Sequence, residues 1–230
     1  MKPPPLVIAH RGASAVELEN TLAAFQAAVG LGADGVELDV HATIDGELVV
    51  HHDPSVLGLP IAQARARDLA ELPLSNGAPM PTLAQALDVL GALKVFVEVK
   101  TLDPRWDDRL LETLDRGPNP SGYAVHSFGF HVVRRLADKR PTLPCGILSE
   151  VATRSPKQTL EDANARTLWQ ERATVGESLV NTVHDLGATI FAWTVDDRPE
   201  MERFVRWGVD GICTNRPERG RQVVDASRAA

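Results

Sequence analysis

Short, mostly apolar runs, eight in all, recur along this chain with longer stretches of helical spacing between most of them, and this alternation limits the folds open to it. The runs cover residues 6–9 (ending at His10), 35–40, 95–100, 123–127, 145–148, 165–169, 188–194 and 210–214. Runs of this length and composition suit the buried strands of a parallel sheet. Helical spacing recurs between them at 20–31, 82–90, 107–114, 129–136, 177–186 and 199–207. A ninth run, 48–52, follows strand two across Asp45-Gly46. Asp-Gly is a short-hairpin signal, so this run is expected to fold back antiparallel on its predecessor. Eight parallel strands, each reached by a crossover, predict a (β/α)8 TIM barrel. Periodicity leaves an open α/β sheet as the alternative, but no phosphate-binding glycine motif of the dinucleotide or P-loop kind is present. We expect residues 1–230 to form a single domain, with a hairpin and lid excursion over about 42–81 whose proline- and glycine-rich part runs from Asp53 to Pro81.

Composition narrows the function classes. At 43% hydrophobic and 24% charged residues, the chain is neither disordered nor a coiled coil. Its 24 basic and 31 acidic side chains give a net charge of −7, which provides no field to hold a nucleic acid by counterion release. Two cysteines, Cys145 and Cys213, lie in apolar runs, as buried reduced thiols do. No run of about 18 apolar residues suggests a membrane span, and the N-terminal apolar stretch is too short for a signal peptide. A cytoplasmic location is the expectation.

In a parallel barrel the catalytic mouth lies at the C-terminal ends of the strands, and the charged residues of the runs gather there. His10 and Arg11 end strand one, Glu37 and Asp39 lie in strand two, His52 and Asp53 end the hairpin run, and Glu98 and Lys100 close strand three. Period-two alternation sends Glu37 and Asp39 to one face, and Glu98 and Lys100 likewise. Carboxylates so spaced on apolar strands need positive charge between them. Glu37, Asp39 and Glu98 offer all-oxygen ligation suited to Mg²⁺ or Ca²⁺; the alternative is an ion network with Arg11 and Lys100. Two histidines at neighbouring strand ends could act as acid and base. Choosing between adjacent His51 and His52 requires the strand phase or a family match. His41, His126, His131 and His184 read as structural or surface residues, with His126, at the end of strand four, the one among them positioned to reach the pocket.

The ordered blocks carry a resemblance. His10-Arg-Gly-Ala-Ser, Glu19-Asn-Thr-Leu-Ala-Ala-Phe, Gly32-Ala-Asp-Gly-Val-Glu-Leu-Asp-Val, Asp45-Gly and Val49-Val-His-His-Asp resemble the N-terminal signature of the glycerophosphodiester phosphodiesterases. Met80-Pro-Thr-Leu, Val97-Glu-Val-Lys, Ser127-Phe, Ala192-Trp-Thr-Val-Asp and Asp210-Gly-Ile-Cys-Thr-Asn-Arg-Pro continue it over nearly the whole chain. The resemblance implies a TIM-barrel hydrolase that cleaves small glycerophosphodiesters to sn-glycerol 3-phosphate and an alcohol with one divalent cation, Mg²⁺ or Ca²⁺ and conceivably Mn²⁺. It implies Glu37, Asp39 and Glu98 as metal ligands, and His10 and His52 as the acid/base pair. It further implies Arg11 and Lys100 as phosphate contacts, Trp193 in the alcohol subsite, and Glu19 and Asn20 as shapers of the first loop. Three departures stand out: Asn215 where the family frequently has Asp, His51 where an apolar or small residue is commoner, and a short apolar Pro54-Ser-Val-Leu-Gly-Leu-Pro where many relatives are rich in Arg and Thr.

Three competing readings remain open at this stage. The apolar excursion admits a lysophospholipase D-like activity. Lys100 could serve as a Schiff-base amine in a lyase, although Glu98 beside it opposes the low pKa that would need. A phosphate-binding module without catalysis would have little use for three carboxylate acceptors. No serine or cysteine stands in a strong nucleophile motif, so attack is expected from water or from the substrate's own hydroxyl.

Overall fold

A computed structural model describes residues 3–152 and 155–229. Eight strands run parallel: β1 (Leu6–His10), β2 (Gly35–Ala42), β6 (Lys94–Thr101), β7 (Tyr123–Ser127), β8 (Cys145–Ser149), β9 (Thr167–Glu171), β10 (Thr189–Trp193) and β11 (Gly211–Thr214). Each pairs with the next in chain order, and β1 pairs with both β2 and β11. That double pairing closes the sheet into a (β/α)8 barrel and removes the open-sheet alternative. The ninth run forms β3 (Leu48–Val50), antiparallel to β2 with Val40 opposite Val50. Its turn is held by the Gly46 N–H to Thr43 C=O bond (3.1 Å) and by the Thr43 hydroxyl donating to Asp45 (2.7 Å).

Helices α1 (Leu22–Gly30), α3 (Leu83–Leu90), α4 (Asp107–Arg116), α5 (Phe130–Lys139), α6 (Pro156–Ala163), α7 (Glu177–Asp185), α8 (Arg198–Trp207) and α9 (Pro217–Ala229) surround the barrel. Two of them, α6 and α9, carry no signal that the spacing analysis singled out. The expected helix over 20–31 starts two residues later, because Asn20 is left-handed (φ 57°) and Thr21 caps α1 by accepting from the Ala24 N–H. The sixth strand also starts later than expected: Ala165 N–H bonds back to Leu160 C=O, closing the end of α6 before extended chain begins.

Residues 53–81 form the excursion, with a two-residue hairpin of β4 (Ser55–Val56) and β5 (Leu59–Pro60) and the short helix α2 (Ala66–Ala70). It packs on its own cluster of Val49, Val56, Ile61, Leu69, Leu74 and Met80. The main core lies between strands and helices. Inside the barrel, Ile8, Phe96, Leu148, Trp169, Phe191 and Cys213 form a separate plug. The inward phase is every second residue, so above this plug the barrel strands β1, β2, β6 and β7 present His10, Glu37, Asp39, Glu98, Lys100 and His126.

Candidate active site

Strand register assembles the site. Glu37 aligns with His10 on β1, Asp39 with Glu98 on β6, and Glu98 in turn with His126 on β7. The open cleft above the plug has a volume of about 120 Å³ and is lined by His10, Arg11, Glu37, His52, Glu98, Lys100, His126 and Trp193, with Phe128 and Glu150 at further loop positions. His51, next to His52, is not in its wall.

The turn after β1 sets the first loop. Arg11 is left-handed (φ 56°) and Gly12 follows at φ 85°, where a Cβ would lie 2.7 Å from the Ala24 backbone carbon. Only glycine fits there. The turn aims the Arg11 guanidinium at Glu19 (2.9 Å) and Asp39 (3.0 Å), while the Arg11 N–H donates to Glu37 (3.2 Å). Asn20 pairs with Asp39 twice: its Nδ2 donates to the carboxylate at 2.7 Å, and its Oδ1 accepts from the Asp39 N–H at 3.3 Å.

Lys100 bridges Asp39 (2.9 Å) and Glu98 (2.8 Å). Burial would raise Asp39, but Arg11 and Lys100 beside it prevail and hold its carboxyl at about 2. Burial, joined by the charge of Asp39, pushes Glu98 up to about 7. Glu37 is raised well above the ordinary carboxylate range by burial and by both neighbouring carboxylates. Burial alone would lower Lys100, yet Asp39 and Glu98 raise it, so the amine stays an ammonium. That is the opposite of what an imine-forming lysine requires.

His126, expected to be structural or on the surface, is buried in the cleft wall. It stacks on Trp169 (centroids 4.1 Å apart, planes 9° apart), and its Nε2 lies 3.8 Å from Glu37. Burial lowers its pKa to about 3, so the ring is neutral, and its Nδ1 has no hydrogen-bond partner among the described residues. Ligand atoms of Glu37, Glu98 and His126 lie within 4.8 Å of one another, so this buried group could hold a metal ion. The donor chemistry fits a divalent cation: two carboxylates held above their ordinary range by burial and by neighbouring negative charge, beside a neutral imidazole. Asp39, the third ligand implied by the resemblance, lies beside this group, where it pairs with Arg11, Lys100 and Asn20. Its place at the end of strand four, in phase with inward Ala124, marks His126 in the sequence as able to reach the pocket, but not its place beside Glu37 and Glu98.

The two catalytic candidates have different partners. His10 Nδ1 lies 2.8 Å from Asn215 Oδ1, and its pKa is lowered by burial and by the charge of Arg11. His52 Nδ1 lies 2.8 Å from the Asp53 carboxylate, and the His52 carbonyl lies 3.2 Å from His41 Nε2. Trp193, half-buried, meets Phe128 edge to face at 5.8 Å. His131 is exposed, and His184 pairs with Asp210 at 2.9 Å outside the cleft.

A closed parallel barrel with two histidines, carboxylates and cations lining one mouth is the arrangement of a TIM-barrel enzyme with acid/base and cation chemistry at its centre. Residues 10–219 match the glycerophosphoryl diester phosphodiesterase family, and the chain belongs to it as a glycerophosphodiester phosphodiesterase. It is 33% identical over 230 residues to the glycerophosphodiester phosphodiesterase of Caldanaerobacter subterraneus subsp. tengcongensis, an alignment covering 93% of this chain and 95% of that protein. A crystal structure of a glycerophosphodiester phosphodiesterase from Parabacteroides distasonis superposes with TM-score 0.89 and 29% identity over 100% of both chains. An Oleispira antarctica phosphodiesterase, solved with the product sn-glycerol-3-phosphate, shares the fold at TM-score 0.89 and 22% identity, covering 96% of this chain and 97% of that one. No helix among the described residues is long and apolar enough to cross a membrane.

Proposed function

We propose that this chain hydrolyses small glycerophosphodiesters to sn-glycerol 3-phosphate and an alcohol, with His10 and His52 transferring protons and Glu37, Asp39 and Glu98 holding one divalent cation, Mg²⁺ or Ca²⁺, with Mn²⁺ as a further candidate. The observation that carries the reading is the convergence of two histidines, two cationic side chains and buried carboxylates on one cleft. A bound divalent cation supplies positive charge to a non-bridging phosphate oxygen. Arg11 and Lys100 add fixed positive charge where the transition state is most anionic. One histidine removes a proton from the nucleophile and the other protonates the departing alkoxide. Trp193 lines the side of the cleft taken by the alcohol. The whole of residues 1–230 acts as one unit in this reading, in the cytoplasm, where the buried thiols of Cys145 and Cys213 stay reduced.

The nucleophile in this reading is the substrate's own hydroxyl next to the phosphoester, already held at high effective concentration and needing only a base. Its attack forms a cyclic 1,2-phosphate and expels the alcohol; water then opens the ring with the histidines exchanging roles. A deoxy analogue lacking that hydroxyl tests the route. Binding without turnover is expected, and near-normal hydrolysis would mean direct attack by water. A second reading, lysophospholipase D-like hydrolysis, is favoured by one observation. Val16, Leu57, Leu59, Phe128, Phe130 and Val151 are exposed on segments beyond the strand ends, where an acyl chain could lie. Lysophosphatidylcholine run beside glycerophosphocholine in the same assay separates the two.

A further inference from the structure

Behind His10 lies a chain of hydrogen bonds whose polarity can be worked out from the far end. Asp196, in the loop after β10, accepts from the Thr214 hydroxyl (2.9 Å) and the Asn215 N–H (2.8 Å) on one oxygen, and from Asn215 Nδ2 (2.7 Å) on the other. A carboxylate only accepts, so the amide nitrogen of Asn215 must face Asp196, and turning the amide over would set two acceptor oxygens against each other. Asn215 Oδ1 is therefore the atom that meets His10 Nδ1 at 2.8 Å, and this amide oxygen also only accepts. The proton in that contact must belong to the imidazole. Ser14 Oγ lies 2.7 Å from the same Oδ1 and 2.8 Å from the His10 carbonyl. It can donate to either, and neither choice turns Oδ1 into a donor.

We propose that Asp196 and Asn215 form a positioning pair that fixes His10 as its Nδ1–H tautomer and leaves Nε2 with a lone pair toward the cleft. The proposal rests on the reading of His10 as a proton-transfer residue. A neutral imidazole held this way begins the reaction as acceptor: the proton of the attacking hydroxyl moves to Nε2, and Nδ1–H stays bonded to Asn215. His52, backed by the Asp53 carboxylate, is then the donor to the leaving alkoxide. The pair also accounts for the asparagine at 215, where the family frequently has aspartate. With Asp196 only 2.7 Å away, a second carboxylate would face it without a proton between them.

The test is the tautomer itself, read by long-range ¹H–¹⁵N correlation on ¹⁵N-histidine protein, with a His10→Gln sample to assign the signal. In the unmodified protein, Nδ1–H is expected; Nε2–H there would overturn the proposal without any variant. In Asp196→Asn the amide at 215 is free to turn, so the Nε2–H form should appear and kcat should fall at least about 10-fold with KM little changed. The exchanged pair, Asp196→Asn with Asn215→Asp, puts an acceptor-only carboxylate against His10 and an amide donor behind it, so the Nδ1–H form and most of kcat should return. An unchanged tautomer in Asp196→Asn would mean that the network only joins two loops. A tautomer that changes while kcat does not would leave the pair's effect standing and count against His10 as the proton-transfer group.

Discussion

Adjacent residues on one strand end can have unrelated fates, and His51 and His52 show it. His52 lines the cleft and carries Asp53 behind its Nδ1, whereas His51 is bound through its backbone N–H to the Asp39 carbonyl (3.1 Å). His52→Ala should therefore lower kcat by at least about 10²-fold while His51→Ala leaves it close to normal; the reverse pattern would show that the wrong histidine has been chosen. Alternation alone makes one of the two face inward, but the choice of His52 came from the family resemblance. Glu37, Asp39 and Glu98 were legible as a group because acidic side chains on apolar strands need an explanation. What each does with its charge was not, since this depends on Lys100 and Arg11 reaching Asp39 across strands. The thiols are simpler. Burial pushes Cys145 up to about 12 and Cys213 well above its ordinary value, so a thiolate appears only when the solution pH climbs toward those raised values. At pH 8 both should remain protonated and resist a thiol-alkylating reagent in the folded protein, then react fully in denaturant. Rapid labelling of either in the native state would contradict the buried placement.

Element boundaries follow from side chains that local spacing does not reveal. Strands were readable because burial on both faces makes them mostly apolar, and α3 because its four buried residues, Leu83, Ala86, Leu87 and Leu90, recur at helical spacing; Thr82 and Gln85 add a capping box at its start. α6 escaped notice because only Leu160 and Ala163 of its described residues are buried, and α9 because two of its buried positions, Pro217 and Gly220, are not the apolar side chains that mark helical spacing. The β1–α1 turn carries the sharpest element-level requirement. Gly12→Ala sets a Cβ against the Ala24 backbone at a positive φ, so it should cost about 2 kcal/mol or more in urea unfolding. The same change should displace Arg11 and reduce turnover. Unchanged stability would mean that the turn tolerates a side chain.

At the scale of the whole molecule, closure of the barrel turns eight separate strand ends into one mouth. Residues as distant in sequence as His10 and Asn215 meet there at 2.8 Å, a contact that only the β1–β11 pairing explains. The architecture was legible from alternation because parallel strands must be joined by crossovers. His126 was not, because its role depends on which register brings β7 beside β6. Cation-assisted cleavage of the phosphodiester on the alcohol side can be followed by ³¹P NMR of glycerophosphocholine incubated with the purified protein. With Mg²⁺, Ca²⁺ or Mn²⁺ supplied, the diester signal should give way to sn-glycerol 3-phosphate, and metal-stripped protein in excess chelator should leave it intact until a cation is restored. Full turnover in chelator, or phosphocholine as the product, would contradict the account.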